Sequence, residues 1–262
     1  MPVVEKLAPG FFCWVELATT DQSAAKHFYN SLFDWMPADF PMGPDGVYSV
    51  FRFKDRDCAA LYTMRQEHRE RGVAPNWVLY IATADVDEST RRAVELGGTV
   101  LAGPFDVMDK GRMSIIQDPT GAHFCLWQAK TETTGIGIAG ENNTFCWADL
   151  LTRDVASAKR FYEGLFGWSL APGEGKDATG YLHILNGAQM IGGIPPAEHM
   201  QQGVPPHWLI YIMVADCDAS CDKAVSLGAH AYVSPMTIEG VGRMSVLADP
   251  QGAVFALFTG TV

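Results

Sequence analysis

GRMSIIQDPTG (residues 111–121) returns as GRMSVLADPQG (242–252), with seven of eleven positions identical and an offset of 131. A match of this length at a fixed offset marks an internal repeat rather than an isolated turn. It extends in both directions. FCWVELATTDQSAAKHFYNSLFDW (12–35) aligns with FCWADLLTRDVASAKRFYEGLFGW (145–168), and PNWVLYIATADVDESTRRAVELGG (75–98) with PHWLIYIMVADCDASCDKAVSLGA (206–229). The offset drifts only between 133 and 131, so a two-fold duplication accounts for nearly the whole chain. The halves read as 1–130 and 143–262. The Gly- and Thr-rich stretch 131–142 reads as a linker between them.

The bulk numbers fit two ordinary globular domains: 262 residues, 48% apolar and 19% charged, with 26 Gly and 15 Pro. A net charge of −11, with no local Lys/Arg cluster, argues against nucleic acid as a partner. No apolar run approaches the roughly 18 residues of a membrane span. The start, MPVVEKLAPG, lacks the basic and apolar regions of a secretion signal. Cys13, Cys58, Cys125, Cys146, Cys217 and Cys221 form no CxxC pair and no disulfide spacing, which suits a reducing cytoplasm. Cys217 and Cys221, four apart, read as packing groups on one helix face. The expected partner is therefore a small molecule, the expected location the cytoplasm, and the expected state a monomer or homodimer.

Each half divides again. CWVELA reads as a strand, Asp21 as a helix N-cap, and Ala25, Phe28, Tyr29, Leu32 and Phe33 as the apolar stripe of the helix that follows. The second half repeats the stripe with Ala158, Phe161, Tyr162, Leu165 and Phe166. Strands VYSVFRF and DCAALYTM come next. A second unit then opens with strand WVLYIAT, an acidic turn at Asp85 and a helix ending at Gly97-Gly98, with strands around TVLAGPFDV, RMSIIQ and AHFCLWQ. The pattern is βαβββ, twice per half. DPTG and DPQG fall between the last two strands of each half as turns.

A strand, a D-x-x-x-A-x-x-F-Y helix ending in LF-(D/G)-W and a closing GRM…DPxG hairpin together resemble the vicinal oxygen chelate superfamily. That group includes glyoxalase I, extradiol dioxygenases, and the fosfomycin and bleomycin resistance proteins. The resemblance runs through both halves. It implies an α+β fold of tandem glyoxalase-like domains, four βαβββ modules with curled mixed sheets forming cavities. It also implies a divalent metal held by a His or Gln on the first strand, a His on the strand opening the second module and a Glu on the last strand. Such a site leaves an open position at which a metal polarises substrate oxygens.

Carried over residue by residue, those positions are Trp14, Val78 and Cys125 in the first half and Trp147, Leu209 and Ala256 in the second. All six depart from the pattern, so the expectation is no metal or other cofactor. A substitute donor set from Glu16, His123 and Cys125 stays open, and with it a divalent metal and a glyoxalase-like lyase or dioxygenase with non-standard ligands. The second half cannot mirror that set, because Val254 stands where His123 would be.

The alternation of strand side chains then lists what faces the presumed cavity. The first half gives Trp14, Glu16, Tyr80, Cys125 and Trp127, and the second gives Trp147, Asp149, Tyr211, Ala256 and Phe258. Each set is an aromatic wall around one acid, the composition of a small-molecule site. The aromatics read equally well as plugs filling the space the metal vacated. A buried carboxylate requires a partner. Arg112 and Arg243 of the GRM motifs are the expected internal partners and candidate ligand contacts, while Glu16 and Asp149 are candidate bases or ligand anchors. The leading expectation is a bleomycin-resistance-like binder of a small planar or aromatic molecule. The alternatives are the unorthodox metalloenzyme, a metal-free catalyst using Glu16 or Asp149, and a protein whose halves serve as interaction surfaces.

Overall fold

The computed structural model describes Val4 and residues 8–43, 46–131, 135–173 and 180–261. In the first half β1 (Phe12–Thr19), α1 (Gln22–Phe33), β2 (Met36–Pro41), β3 (Val47–Phe53) and β4 (Arg56–Thr63) form one module. A short helix, α2 (Gln66–Glu70), leads to the second module: β5 (Asn76–Ala82), α3 (Val86–Glu95), β6 (Thr99–Val107), β7 (Gly111–Gln117) and β8 (His123–Ala129). The second half repeats this with β9 (Phe145–Leu151), α4 (Val155–Phe166), β10 (Ser169–Pro172), β11 (Leu182–Asn186) and β12 (Gln189–Ile194). Its last module is β13 (His207–Met213), α5 (Cys217–Ser226), β14 (His230–Ile238), β15 (Gly242–Ala248) and β16 (Val254–Gly260). The four βαβββ modules expected from the repeat are all present; α2 has no sequence signal of its own.

Each half is one eight-stranded mixed sheet, ordered β2-β3-β4-β1-β5-β8-β7-β6 and β10-β11-β12-β9-β13-β16-β15-β14. The first strands of the two modules, β1 and β5, pair antiparallel at the centre, and each is flanked by the last strand of its own module in parallel. The four chemistry-bearing strands of each half therefore lie side by side.

The helix starts follow the sequence closely. Asp21 accepts from Ala24 N at 3.0 Å and Asp154 from Ser157 N at 2.9 Å. Asp85 and Asp216 cap α3 and α5 in the same way, each accepting from the N–H three residues on at 3.0 Å. Ala25, Phe28, Tyr29, Leu32 and Phe33 are all buried, as the stripe requires; in α4 Leu165 and Phe166 are only partly buried.

One apolar core runs through both halves. The helix-bearing sides of the two sheets face each other, with α1 beside α5 and α3 beside α4. Phe28 and Tyr29 of α1 meet Phe255 of β16, and Phe161 and Tyr162 of α4 meet Phe124 of β8. Buried polar atoms cross the same boundary. Trp77 Nε1 donates to the Tyr29 hydroxyl at 3.1 Å, which donates to Asp249 of the opposite half at 3.0 Å. Reciprocally, Trp208 Nε1 donates to the Tyr162 hydroxyl at 3.0 Å, which donates to Asp118 at 3.0 Å. Asp118 and Asp249 are the aspartates of the two DPxG turns. The other oxygen of each accepts the backbone N–H groups of its own turn, at 2.8–3.0 Å. The stretch repeated in the sequence thus ends in the contact that joins the halves.

Residues 136–138 of the segment read as a linker are packed against the first half. Ile136 and Ile138 are buried, Ile136 N donates to Cys13 O at 2.8 Å and Gly137 N to Asp57 O at 2.8 Å. Residues 132–134 of that segment lie outside the described residues. No helix among the described residues is long and apolar enough to cross a membrane.

Tyr29→Phe leaves a buried indole N–H and a buried carboxylate oxygen without their partner, and is expected to cost about 1–3 kcal/mol. A double-mutant cycle with Asp249→Asn should give a coupling energy of about 1 kcal/mol or more across the halves. Thermal unfolding should be one transition for the intact chain. Additive effects, or two separate transitions, would show that the halves are energetically independent.

Candidate functional site

The apolar core fills most of the helix side of each sheet, between the halves, and the candidate clusters lie on the helix-free faces. There the structure builds the same cluster twice, from residues adjacent in register. On β1, Trp14 lies opposite Tyr80 of β5, which lies beside Cys125 of β8. Glu16, two residues on, occupies the neighbouring row with Ala60 and Val78. In the second half Trp147, Tyr211 and Ala256 form one row, and His183, Gly193, Asp149 and Leu209 the next.

The acids are held by tyrosines. Tyr48 of β3 donates to Glu16 Oε2 at 2.7 Å, Tyr80 donates to Oε1 at 3.1 Å, and Trp14 Nε1 donates to the Tyr48 oxygen at 3.2 Å. In the second half Tyr181 donates to Asp149 Oδ1 at 2.6 Å and Tyr211 to Oδ2 at 2.8 Å. Trp147 Nε1 is shared between the Tyr181 oxygen at 2.9 Å and Asp149 Oδ1 at 3.1 Å. Both carboxyls are buried, at 8% and 4% exposure, and among the described residues no Lys or Arg is bonded to either. Burial raises Glu16 and Asp149 above their usual carboxylate values, against the hydrogen bonds that lower them. Burial likewise drives the Tyr48, Tyr80 and Tyr211 phenols well above their ordinary value.

Arg112 and Arg243 are not the partners of these acids. Adjacent strand residues point to opposite faces, so with Met113 on the helix-free face Arg112 is on the helix side. There it makes a bidentate ion pair with Asp87 of α3 at 2.7 and 2.9 Å and reaches Asp106 at 3.3 Å. Arg243 pairs with Asp218 of α5 in the same way and reaches Thr237 Oγ1 at 3.0 Å. Neither arginine belongs to the clusters. The remaining expected residues assemble: Tyr80, Cys125 and Trp127 pack with Trp14, and Tyr211 and Ala256 pack with Trp147 and Phe258. Tyr80 and Trp127 meet edge to face with centroids 6.3 Å apart.

The motif glycines make room for these aromatics. A Cβ on Gly111 would lie 2.5 Å from the Trp127 ring, and one on Gly242 2.9 Å from the Phe258 ring. A Cβ on Gly193 would overlap the Tyr181 hydroxyl, so the bare backbone at 193 is what allows Tyr181 to reach Asp149.

Tyr48, Tyr181 and His183 are absent from the residues singled out by sequence. The signal was present for two of them: Tyr48 and Tyr181 stand at the repeat offset of 133. His183 has Val50 as its counterpart. Its ring contacts those of Tyr181 and Trp147, with centroids 5.1 and 6.3 Å away, and its charge bears on Asp149.

The residues do not fit the metal that the fold implies. Five of the six ligand positions carry indole or aliphatic side chains. Burial pushes the Cys125 thiol well above its normal value, which disfavours the thiolate a metal needs. His123 is exposed and bonds Gln117 at 3.0 Å, with Val78 between it and Glu16. Among the described residues no three His, Cys, Asp or Glu side chains cluster closely enough to hold a metal.

Comparison with known proteins agrees with this architecture. A family model described as the Glyoxalase/Bleomycin resistance protein/Dioxygenase superfamily matches residues 12–126, and one described as a glyoxalase-like domain matches 146–258. CFP32 of Mycobacterium tuberculosis, which bears a provisional glyoxylase name, is 41% identical over 258 residues, covering 98% of this chain and 97% of its own. The anthracycline biosynthesis protein DnrV of Streptomyces peucetius is 32% identical over 266 residues, covering 96% of this chain and 94% of its own. The Mn(II)-bound glyoxalase from Novosphingobium aromaticivorans shares the fold at TM-score 0.65 and 14% identity, over 99% of this chain and 83% of that one. The 2,3-dioxygenase LapB from Pseudomonas sp. KL28 does so at TM-score 0.61 and 12% identity, over 99% and 94%. The chain belongs to the glyoxalase/bleomycin resistance protein/dioxygenase superfamily, with one such domain in each half.

Gly193→Ala is expected to force Tyr181 off Asp149 and cost about 1–3 kcal/mol. The readout is a changed near-UV circular dichroism band and altered Trp147 fluorescence with secondary structure retained. An unchanged aromatic spectrum would mean that Tyr181 does not lie over Gly193.

Proposed function

We propose that this chain binds a small planar, aromatic molecule on the helix-free face of each half, using aromatic contact and hydrogen bonds and no metal. The observation that carries the reading is the repeated constellation of one buried acid, two tyrosines and one tryptophan. In both halves it occupies the helix-free face, at and beside the strand positions where the family resemblance implies metal ligands, and in both those positions carry other side chains. Two copies with different acids, Glu16 and Asp149, keep the same hydrogen-bond pattern. A flat indole and phenol surface with a few fixed polar groups suits a fused-ring ligand. DnrV gives the reading further support, because anthracyclines are planar fused-ring compounds bearing carbonyl and hydroxyl oxygens.

A metal-free acid–base reaction is the second reading, and His183 favours it. Among the described residues the second half alone places an imidazole beside its acid and tyrosines, so this reading puts proton transfer there, with Asp149 and His183 as the exchanging groups.

The purified protein, dialysed without chelator, should contain less than about a tenth of an equivalent of zinc, nickel, iron or manganese by elemental analysis. One equivalent would redirect attention to Glu16, His123 and Cys125. Planar aromatic compounds should quench the tryptophan fluorescence, and Trp14→Ala or Trp147→Ala should weaken binding about tenfold at the altered half. A broad aromatic library that produces no quenching would remove the binding reading.

A further inference from the structure

The direction of the hydrogen bonds in each cluster is set by its tryptophan. An indole N–H only donates, so the Tyr48 oxygen accepts from Trp14 and its single hydrogen goes to Glu16 Oε2, 2.7 Å away. Tyr181, accepting from Trp147, commits its hydrogen to Asp149 Oδ1 in the same way. The other carboxyl oxygen has one tyrosine partner, Tyr80 at 3.1 Å or Tyr211 at 2.8 Å. That contact can be made in two ways. When the acid is ionised, the tyrosine must donate to it. When the acid is protonated, its own O–H donates, the tyrosine oxygen accepts, and the tyrosine hydrogen is released. A proton on Oε2 or Oδ1 would instead displace the hydrogen of Tyr48 or Tyr181, so the oxygen facing Tyr80 or Tyr211 is the one that takes it.

We propose that Tyr80 and Tyr211 recognise a carbonyl oxygen of the planar ligand, each turning its hydroxyl hydrogen from the acid to the ligand when Glu16 or Asp149 holds a proton. This rests on the reading that the ligand lies on the helix-free faces, and it narrows the ligand class to ring systems bearing carbonyl oxygens, such as quinones. Burial favours the protonated form of both acids. It also keeps Tyr80 and Tyr211 in the hydroxyl form, so each has a hydrogen to give.

The groups facing the two acids differ. Glu16 is met by Tyr48, Tyr62, Tyr80 and Cys125, all uncharged when buried thiols and phenols keep their protons. His123 stands two strands away beyond Val78. Asp149 is met by Tyr181, Tyr211 and Cys146, and also by His183, whose electrostatic effect on the carboxyl is downward and smaller than that of burial or of the hydrogen bonds. Carbonyl recognition is strongest below the acid's titration and is lost as pH rises through it.

The test uses the full chain and two probes of equal charge and closely similar shape, 9,10-anthraquinone-2-sulfonate and anthracene-2-sulfonate, which differ in the two carbonyls. The ratio of their affinities isolates the hydrogen bond from charge effects common to both. The preference for the quinone should fall about tenfold as the pH is raised through the carboxyl titration. In the double variant Glu16→Gln with Asp149→Asn, the amide N–H takes the place of the acid proton, so the preference should stay high at every pH. In Tyr80→Phe with Tyr211→Phe it should vanish while anthracene-2-sulfonate still binds. A quinone preference that does not change with pH in the unaltered chain, or that disappears in the amide variant, overturns the inference and leaves the binding reading standing. Failure of both probes at every pH removes the binding reading and this inference together.

Discussion

Two buried hydrogen-bond relays, Trp77 to Tyr29 to Asp249 and Trp208 to Tyr162 to Asp118, bind each half of the chain to the other. Each aspartate does two things at once: one oxygen gathers the N–H groups of its own DPxG turn and the other accepts a tyrosine from the opposite half. Opening the interface would leave a desolvated carboxylate oxygen, a phenol and an indole N–H without partners, which is costlier than losing apolar contact alone. The helix sides of both sheets are therefore committed to one shared core. Everything else about the molecule is arranged on the faces that remain.

Those faces carry the two polar clusters. Glu16 and Asp149 lie where a cation would be the conventional partner, yet among the described residues their hydrogen bonds come from tyrosines and, for Asp149, also a tryptophan N–H, with His183 near Asp149 alone. An uncharged shell leaves the choice between carboxyl and carboxylate open, whereas an arginine would fix the ionised form. The arginines that might have done so are drawn across the sheet to Asp87 and Asp218 at the helix starts. The two clusters share a pattern without being copies. Gly193 in place of Ala60 lets Tyr181 lie flat over the strand, and His183 in place of Val50 adds an imidazole only to the second half.

Much of this was legible in the chain. Helix caps at Asp21, Asp85, Asp154 and Asp216, the apolar stripes, and the strands around the DPxG turns rest on short-range spacing, which one sequence displays fully. The facing of Trp14, Glu16, Tyr80, Cys125 and Trp127 followed from period-two alternation. Arg112 is not the internal partner of Glu16: the same alternation, applied from Met113, places it on the helix side. Tyr48 and Tyr181 could have been found from their equal offset, but nothing local distinguishes them from other strand tyrosines.

The sequence by itself determined the duplication, the four modules, the loss of the ligand positions and the pairing of one acid with aromatics in each half. These follow from residue identity and from periods of 2, 3.6 and 131–133 residues, which need no folded structure to be read. Only the tertiary structure decided who partners whom. Tyr29 meets Asp249 across 220 residues and Tyr48 meets Glu16 across 32. The register of non-adjacent strands and the docking of the two halves set those distances, and both are collective results of packing that no local pattern encodes.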